Sequence, residues 1–418
     1  MAATSPSGVR SRSPLPAPIA EWQRFRRALE DEDLPAAVLD LDALEHNARV
    51  VLGALRPGQR LRIASKSIRV PAVLERLHAL GRGQFVGLMT WSAFETRALA
   101  ERGFDDLLLA YPIARPNEAA VLADLAAAGT TVAVVVDSVD QARLLGVAAA
   151  AKDTHVRVCL DVDVSLRPIG GRAHFGVRRS PIRDVETAIR VAEAVERQPG
   201  LRLVGLMAYE AQVAGIREHN PGSRHLDAIR RLIKRQSVPL AAARRAEIAA
   251  ALEARGHHME IVNGGGTGSL GSTPNDSTVT EVTAGSGFFC PHLFDHYEGL
   301  PLRPAAFFAL AVSRRSDPDH ITCFGGGYPA SGPAGGDRLP QVHLPPGLEP
   351  LDLEGFGEVQ TPFRVASDCP PLQLGDPIIC RHAKAGELAE RFARLLLLRG
   401  EVVEDHVATY RGLGWSFG

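Results

Sequence analysis

The chain has 418 residues, of which 45% are hydrophobic and 23% charged, and its formal net charge is −1 at pH 7. This length exceeds that of a usual single domain, so we expect two domains, and the hydrophobic content is sufficient for a large core. The near-zero charge disfavours nucleic acid and anionic membranes as partners, and no apolar run has the length of a membrane span.

The N-terminal segment and the cysteines bear on location. Residues 1–18 are rich in serine and proline, so we expect a disordered tail, and they lack the apolar core of a secretory signal. The five cysteines occur without paired spacing, which is typical of a reducing compartment. The sequence therefore predicts a cytoplasmic protein.

From residue 36 onward, short apolar segments alternate with helical patterns. The strand candidates are residues 36–41, 61–65, 85–89, 106–111, 131–137, 155–164, 201–209 and 259–263, with a ninth at 279–284. The helical patterns are residues 42–55, 91–102, 117–128, 139–150, 181–197 and 226–255, and a further one opens at Pro71. This alternation predicts an α/β fold, a (β/α)₈ TIM-type barrel over residues 36–297, but leaves open which eight strands close it. A doubly wound parallel sheet is the alternative.

The pattern changes after residue 300. Residues 307–313 and 320–324 flank a turn at 314–319, and residues 395–398 and 402–407 flank Arg399-Gly400. These pairs predict β-hairpins, with one short helix at 386–394. We therefore expect a second, C-terminal β-rich domain over residues 298–418, which residues 19–35 could join.

A lysine directly follows the second strand candidate, in the run Ile63-Ala64-Ser65-Lys66-Ser67. Barrel enzymes carry their chemistry at the carboxyl ends of their strands. A lysine that forms a Schiff base needs partial burial and neighbouring cations so that its amine can be neutral, and Arg62 and Arg69 could supply those charges. An ordinary ion pair is the alternative for Lys66.

Two further strand ends are expected on the same face of the barrel. Tyr209 ends the seventh candidate, and the eighth leads into the glycine-rich run 263–269. Backbone N–H groups of such a run can approach a phosphate, and Thr267 and Ser269 add hydroxyl donors. A second small-residue loop, residues 284–287, could complete this cradle. The alternative for each loop is a flexible connection without a ligand.

Residues 266–271 also match the dinucleotide pattern G-x-G-x-x-G. That fingerprint requires a helix that opens at its glycines. The residues that follow, 272–276, read Ser-Thr-Pro-Asn-Asp and cannot open one. The sequence therefore disfavours a nicotinamide cofactor.

Together, the lysine run, Tyr209 and the two loops resemble pyridoxal-phosphate enzymes of the alanine-racemase type (fold type III). The match is to their D-threonine aldolase / D-serine dehydratase branch, which includes proteins called amino acid deaminase/aldolase, and it covers residues 36–411. The other segments that carry the resemblance are residues 280–287, 325–328, 357–362 and 382–388.

The resemblance implies that pyridoxal 5'-phosphate is the cofactor, that Lys66 forms a Schiff base with it, and that Tyr209 lies beside it. It also implies a set of residues that hold the phosphate: Gly265, Gly266, Thr267, Gly285 and Ser286. Enzymes of this family face the ring nitrogen with an arginine or another polar group. Arg167 and His174 are both candidates for that place.

Aldolases of this branch bind a divalent metal through His-x-Cys or His-x-Asp, whereas this chain has His382-Ala383-Lys384. A protonated lysine cannot be a metal ligand, so a metal at His382 is disfavoured. We expect Lys384 to bring positive charge to that place and His382 to handle the proton of the substrate hydroxyl. The alternative is a Lys384 that only pairs with Glu387. The sequence contains a second possible metal site, made of Cys290, His292 and His296. This site is also disfavoured, because the segment that contains it looks packed.

The resemblance implies a lyase that acts on 3-hydroxy amino acids, most simply by the cleavage to glycine and an aldehyde that D-threonine aldolases perform. A D-serine or D-threonine dehydratase, which gives a 2-oxo acid and ammonia, is the alternative, with Lys66 as the base at Cα. A racemase using Tyr328 or Tyr410 as second acid/base and a non-catalytic cofactor-binding protein are further alternatives. A homodimer that takes a small-molecule amino acid is expected by resemblance.

Overall fold

The computed structural model of the protein describes residues 17–417. The predicted disordered tail therefore lies outside the described residues except for residues 17 and 18, and Pro18 already begins the first helix. The strands are β1 (Ala36–Asp40), β2 (Arg60–Ala64), β3 (Phe85–Thr90), β4 (Leu107–Leu109), β5 (Val132–Val136), β6 (Val156–Asp161), β7 (Leu201–Ala208), β8 (Ile261–Gly264), β9 (Glu281–Ala284), β10 (Ala306–Asp317), β11 (His320–Phe324), β12 (Gln341–Leu344), β13 (Leu348–Pro350), β14 (Gln360–Val365), β15 (Pro377–Arg381), β16 (Arg394–Arg399) and β17 (Val402–Ala408). The helices are α1 (Pro18–Ala28), α2 (Leu41–Ala54), α3 (Pro71–Leu80), α4 (Ala93–Ala100), α5 (Pro116–Ala127), α6 (Val139–Ala151), α7 (Val185–Glu196), α8 (Ala211–Ala214), α9 (Asp227–Glu253) and α10 (Ser286–Phe289).

Strands β2 to β9 form a closed barrel in which each strand runs parallel to its neighbours. The predicted TIM-type barrel is thus confirmed, and the sheet is not doubly wound. Strands of such a barrel are covered on both faces, by the interior and by the helices, and therefore read as continuous apolar runs. Strand β5 is an example, because all five of its residues are buried.

Local signals determine where the barrel helices begin. Pro71 and Pro116 stand in the first turns of α3 and α5, where the missing N–H costs no hydrogen bond. Ser138 and Asp184 cap α6 and α7 by accepting a hydrogen bond from a backbone N–H of the first turn. Each helix start is thereby held near the end of the preceding strand.

Over residues 17–417, no helix combines the length and apolarity that a membrane crossing requires.

The first strand candidate does not belong to the barrel. Strand β1 pairs antiparallel with β10 and parallel with β16, in a sheet of nine strands that also contains β11–β15 and β17. The ninth candidate, β9, closes the barrel by pairing with β2. Both expected hairpins are present, as β10–β11 and β16–β17, and the short helix is a 3₁₀ turn at Gly386–Glu390. The division of the chain into two folding domains stays a prediction.

The sheet contacts the barrel beside the turn that carries Lys66. Gly386 packs against the carbonyl oxygen of Lys66 so closely that a side chain at this position would collide with it. The backbone N–H of Tyr410 donates to the carbonyl oxygen of Arg69 at 2.9 Å. Two segments of the C-terminal sheet region therefore hold the turn at residues 65–69.

Candidate functional site

A pocket opens at the carboxyl ends of the barrel strands. Its wall contains side chains that follow β2, β4, β7, β8 and β9, namely Lys66, Tyr111, Tyr209, Thr267 and Ser286. The strand ends that the sequence predicted to share one face therefore meet in one pocket. Within residues 17–417, no acidic side chain and no histidine lines this pocket. Such a wall favours an anionic ligand.

Lys66 lies in the 3₁₀ turn Ser65–Ser67, directly after β2. Its side chain is half-buried, and Nζ donates a hydrogen bond to the Tyr111 hydroxyl at 2.7 Å. The Ser65 hydroxyl anchors the turn by donating to the carbonyl oxygen of Met89 at 2.9 Å. The amine is therefore held in the pocket by a tyrosine hydroxyl, and no carboxylate among the described residues forms the ion pair that was the alternative for Lys66.

The two arginines near Lys66 are neutralised by carboxylates. Arg62 is fully buried, and its Nε lies 2.8 Å from Oε1 of Glu281. Arg69 pairs with Glu390 at 2.6 Å, and its Nε donates to the carbonyl oxygen of Lys66 at 3.0 Å. The expectation that these arginines provide free positive charge is therefore wrong. Arg69 instead helps to position the lysine turn.

The two glycine-rich loops are bonded to each other. The N–H of Gly287 donates to the Thr267 hydroxyl at 2.9 Å, and the hydroxyls of Ser67 and Ser286 lie 3.2 Å apart. Gly265 has φ of +90°, a conformation that favours glycine. The loops thus form a narrow, side-chain-poor wall with hydroxyls and backbone N–H groups, which suits a phosphate.

A buried carboxylate supports the first of these loops from behind. Glu210 pairs with Arg245 and accepts hydrogen bonds from the N–H of Gly265 and the hydroxyl of Ser269, both at 3.1 Å. Arg245 also pairs with Asp276 at 2.8 Å. Ser269, which the sequence suggested as a phosphate donor, is therefore occupied in holding the loop. Thr267 is the hydroxyl of this loop that lines the pocket.

The sequence analysis missed two residues of the pocket wall, Tyr111 and Arg179. The guanidinium carbon of Arg179 lies 5.8 Å from the ring centre of Tyr111 and 6.0 Å from that of Tyr209. Burial raises the pKa of Tyr209 to about 12, so its hydroxyl stays protonated. Tyr111 could have been found as the last residue of the strand candidate 106–111. Arg179 had no such signal, because it stands in the middle of a long loop after β6.

The candidates for the ring nitrogen, Arg167 and His174, lie in the same loop but not in the pocket wall. Arg167 pairs with Asp163 at 2.6 Å. Nε2 of His174 lies 3.1 Å from the carbonyl oxygen of Val177. The role of either residue stays a prediction, and the arginine of this loop that lines the pocket is Arg179.

His382 and Lys384 lie in the segment that packs against the lysine turn, outside the pocket wall. Nδ1 of His382 lies 2.7 Å from the carbonyl oxygen of Lys384 and 3.1 Å from the backbone N–H of the same residue. The first contact requires a hydrogen on Nδ1 and the second a lone pair, so these contacts do not assign the tautomer. The buried Nε2 has no hydrogen-bond partner among the described residues. Burial lowers the pKa of His382. Nζ of Lys384 donates to the hydroxyl of Ser331 at 2.6 Å and lies 3.3 Å from Glu387. The pairing with Glu387 is the one that the sequence analysis gave as the alternative role of Lys384.

The side chains around His382 do not fit a divalent metal. Residues 17–417 contain no group of three or more His, Cys, Asp and Glu side chains arranged to hold a metal ion. In the second candidate set, Nε2 of His292 lies 2.9 Å from the carbonyl oxygen of Leu339. Burial raises the pKa of Cys290 to about 12, which disfavours the thiolate that zinc requires.

A buried carboxyl lies behind the lysine turn. Glu95 of α4 accepts hydrogen bonds from the hydroxyl of Tyr410 at 2.9 Å and from the N–H of Trp91 at 2.8 Å. Burial raises the pKa of Glu95 to about 7, and the hydrogen bonds from Trp91 and Tyr410 oppose that shift. The two tyrosines that a racemase would need, Tyr328 and Tyr410, are not among the described residues of the pocket wall.

Comparison with known proteins places this site in a family. The family model described as "Alanine racemase, N-terminal domain" matches residues 39–290. The chain is 29% identical over 260 residues to the 3-hydroxy-D-aspartate aldolase of Paracoccus denitrificans (strain Pd 1222), covering 61% of this chain and 60% of that protein. It is 25% identical over 293 residues to the D-threonine aldolase of Arthrobacter sp, covering 69% and 70%. The match thus spans about 60% of the length of the first relative.

Solved structures extend the similarity to nearly the whole chain. The D-threonine aldolase from Filomicrobium marinum has a TM-score of 0.74 at 25% identity, covering 92% of this chain and 96% of that one. The D-threo-3-hydroxyaspartate dehydratase from Delftia sp. HT23 shares the fold, with a TM-score of 0.69 at 21% identity over 91% and 98%. The resemblance inferred from the sequence is confirmed. Because the family model matches more than half of the chain, including the lysine and both glycine-rich loops, the protein belongs to the alanine racemase N-terminal domain family.

Proposed function

We propose that the protein is a lyase that uses pyridoxal 5'-phosphate to cleave 3-hydroxy amino acids of D configuration into glycine and an aldehyde. The observation that carries the proposal is that Nζ of Lys66 and two linked glycine-rich loops line the same pocket. Family membership implies the cofactor. Two relatives that are named as aldolases of such amino acids support the reaction.

The residues present fit this cofactor. Lys66 would hold its aldehyde carbon, and the phosphate would lie against Gly265, Gly266, Thr267, Gly285 and Ser286. The fit rests on the lining of the pocket, in which Lys66 shares one wall with the hydroxyls of Thr267 and Ser286 and with the side-chain-poor loop residues. When bound, the cofactor supplies an aldehyde that condenses with amines and a ring that accepts an electron pair from a bond at Cα.

Lys66 is the proposed proton carrier at Cα. The Tyr111 hydroxyl accepts a hydrogen bond from Nζ at 2.7 Å and so orients the amine. When not bonded to the cofactor, Nζ would give a proton to Cα of the forming glycine. Tyr209, whose hydroxyl stays protonated because burial raises its pKa to about 12, walls the pocket and helps to exclude water.

His382 is the proposed acceptor of the proton from the substrate hydroxyl. Removal of that proton allows the Cα–Cβ bond to break, with the carbonyl of the aldehyde forming on Cβ. The unpartnered Nε2 and the lowered pKa of His382, caused by burial, both support a neutral base. Lys384 is the proposed source of positive charge near this hydroxyl, although its pairing with Glu387 at 3.3 Å weakens that charge.

Dehydration is the second candidate reaction. A D-threo-3-hydroxyaspartate dehydratase shares the fold at 21% identity. In that reaction Nζ of Lys66 would take the proton from Cα, the hydroxyl would leave as water, and hydrolysis would release ammonia and a 2-oxo acid. The two relatives named as aldolases favour the cleavage reaction over this alternative.

One assay tests the proposed function. The holoprotein is incubated with D- and L-3-hydroxy amino acids, and glycine, aldehyde and 2-oxo acid are measured separately. We expect glycine and aldehyde in equal amounts from a D substrate. A 2-oxo acid with ammonia as the main product would identify the dehydratase instead. Exchange of Cα–H with deuterated water without either product would identify a racemase.

Other properties remain expectations. We expect a homodimer in the cytoplasm, with the barrel and the C-terminal sheet as two folding domains and a small-molecule amino acid as substrate. Sedimentation equilibrium of the purified holoprotein measures the number of chains in the assembly.

A further inference from the structure

The wall of the pocket contains a cation besides Lys66. Arg179 is exposed and lines the pocket, and its guanidinium lies near the rings of Tyr111 and Tyr209. No carboxylate of residues 17–417 comes within the 4.0 Å ion-pair distance of this guanidinium. A guanidinium presents a planar fork of N–H donors that matches a carboxylate, so an unpaired arginine in a pocket is suited to an anionic ligand.

Asp161 is an acidic residue whose charge interacts with that of Arg179. Asp161, at the end of β6, has a pKa raised to about 7, mainly by burial and further by the charge of Asp137, while Arg179 opposes this shift. Near neutral pH the carboxyl of Asp161 is therefore only partly ionised. Most of the positive charge of Arg179 remains available to a ligand.

The rest of the wall offers no partner for a second ligand carboxylate. Among its described residues, Lys66 and Arg179 are the only cations, and Lys66 would bind the cofactor. Lys384 lies outside this wall, and its charge is already paired with Glu387 at 3.3 Å. The side chains that complete the wall include the apolar Met89, Met207 and Phe294. A substrate with a carboxylate on its side chain would leave that charge unpaired against this surface, which is unfavourable.

We propose that Arg179 binds the carboxylate of the substrate and that the pocket selects 3-hydroxy amino acids with an uncharged side chain. The proposal rests on the lyase function above and narrows its substrate class. It distinguishes the two kinds of aldolase found among the relatives, and it favours a substrate of the D-threonine type over one of the 3-hydroxy-D-aspartate type.

The test uses the holoprotein and three variants: Arg179→Met, Arg179→Lys and Arg178→Met. Arg178 is the matched control, because it is the exposed neighbour of Arg179 and does not line the pocket. The dissociation constant of glycine is measured from the change in the visible absorption of the bound cofactor. The cofactor's own affinity is measured separately, and initial rates give kcat and KM for D-threonine and 3-hydroxy-D-aspartate.

We expect Arg179→Met to raise the dissociation constant of glycine about 10- to 150-fold, the range that one hydrogen bond to a charged group represents. In the same Arg179→Met variant, KM for D-threonine should rise similarly, while kcat should change less. Arg179→Lys should recover part of the glycine affinity. Arg178→Met should behave as wild type. The wild type should prefer D-threonine to 3-hydroxy-D-aspartate in kcat/KM.

Three results would overturn the inference. These are an unchanged glycine affinity in Arg179→Met, a loss of cofactor affinity alone in that variant, and a wild-type preference for 3-hydroxy-D-aspartate. Failure of the lyase function has a different signature: no product forms from any hydroxy amino acid, yet glycine still binds with an affinity that depends on Arg179. In that case the carboxylate site stands and the reaction must be sought elsewhere.

Discussion

The hydroxyl of Tyr410 donates a 2.9 Å hydrogen bond to Glu95, which links the C-terminal segment to the barrel beneath the lysine turn. Both side chains are fully buried, and Glu95 has no ion-pair partner in the part of the chain that the structure describes. The backbone N–H of Tyr410 also bonds to the carbonyl oxygen of Arg69. The packing of the C-terminal segment and the position of Lys66 are therefore coupled.

The buried carboxyl predicts a pH-dependent stability. The folded protein favours the neutral form of Glu95, with a pKa of about 7 against 4.5 for an ordinary glutamate. The stability from this group is therefore complete below pH 4.5 and declines as the pH rises through 7, by about 3 kcal/mol in total. Glu95→Gln should flatten this decline in the free energy of unfolding, measured with urea between pH 4.5 and 8. The exposed control Glu101→Gln should keep the wild-type slope, and equal slopes in all three proteins would contradict the assignment.

A second prediction concerns the covalent site of the cofactor. The chain has four lysines, Lys66, Lys152, Lys234 and Lys384, and only Lys66 lines the pocket within residues 17–417. We expect a yellow protein in which borohydride attaches the cofactor to the peptide that contains Lys66, as read by mass spectrometry. Lys66→Ala should lose nearly all turnover but retain some cofactor through the phosphate loops. Attachment to any of the other three lysines would refute the assignment.

The phosphate cradle predicts a change in cofactor affinity. The Thr267 hydroxyl bonds to the N–H of Gly287 and can also donate to a phosphate. Because a hydrogen bond to a charged group is worth about 1.5–3 kcal/mol, Thr267→Val should weaken cofactor binding about 10- to 150-fold in an equilibrium titration. Thr278→Val, in a loop outside the pocket wall, is the matched control. Similar affinities for both variants would mean that the phosphate binds elsewhere.

The side chains at His382 predict activity without a divalent metal. We expect turnover to survive exhaustive chelation, because Lys384 stands where a second metal ligand would be required. Lys384→Met should lower kcat about tenfold or more, since it removes the positive charge near the substrate hydroxyl. Lys152→Met, which alters only a surface pair with Asp124, is the control. Activity that disappears on chelation and returns with manganese or magnesium would instead establish a metal at His382.

Local patterns in the sequence were sufficient for much of the fold. The alternation of short apolar strands with helices predicted the barrel, because strands covered on both faces need continuous apolar runs. Lys66, Tyr209 and the two glycine-rich loops were found because functional side chains follow the carboxyl ends of barrel strands. The same patterns could not assign β1 to the C-terminal sheet, since an apolar strand of five residues fits either a barrel or a sheet until its partners are known.

The chemical surroundings of the site depended on contacts between residues far apart in the chain. The sequence could not show that Arg62 is neutralised by Glu281, or that Arg179 lines the pocket while Arg167 and His174 do not. Charge and hydrogen bonding act over a few ångströms, and those distances arise only when the barrel closes and the loops fold over it. The residue types that carry the chemistry are therefore visible in the linear chain, whereas their partners, and hence their charge state and role, are set by tertiary packing.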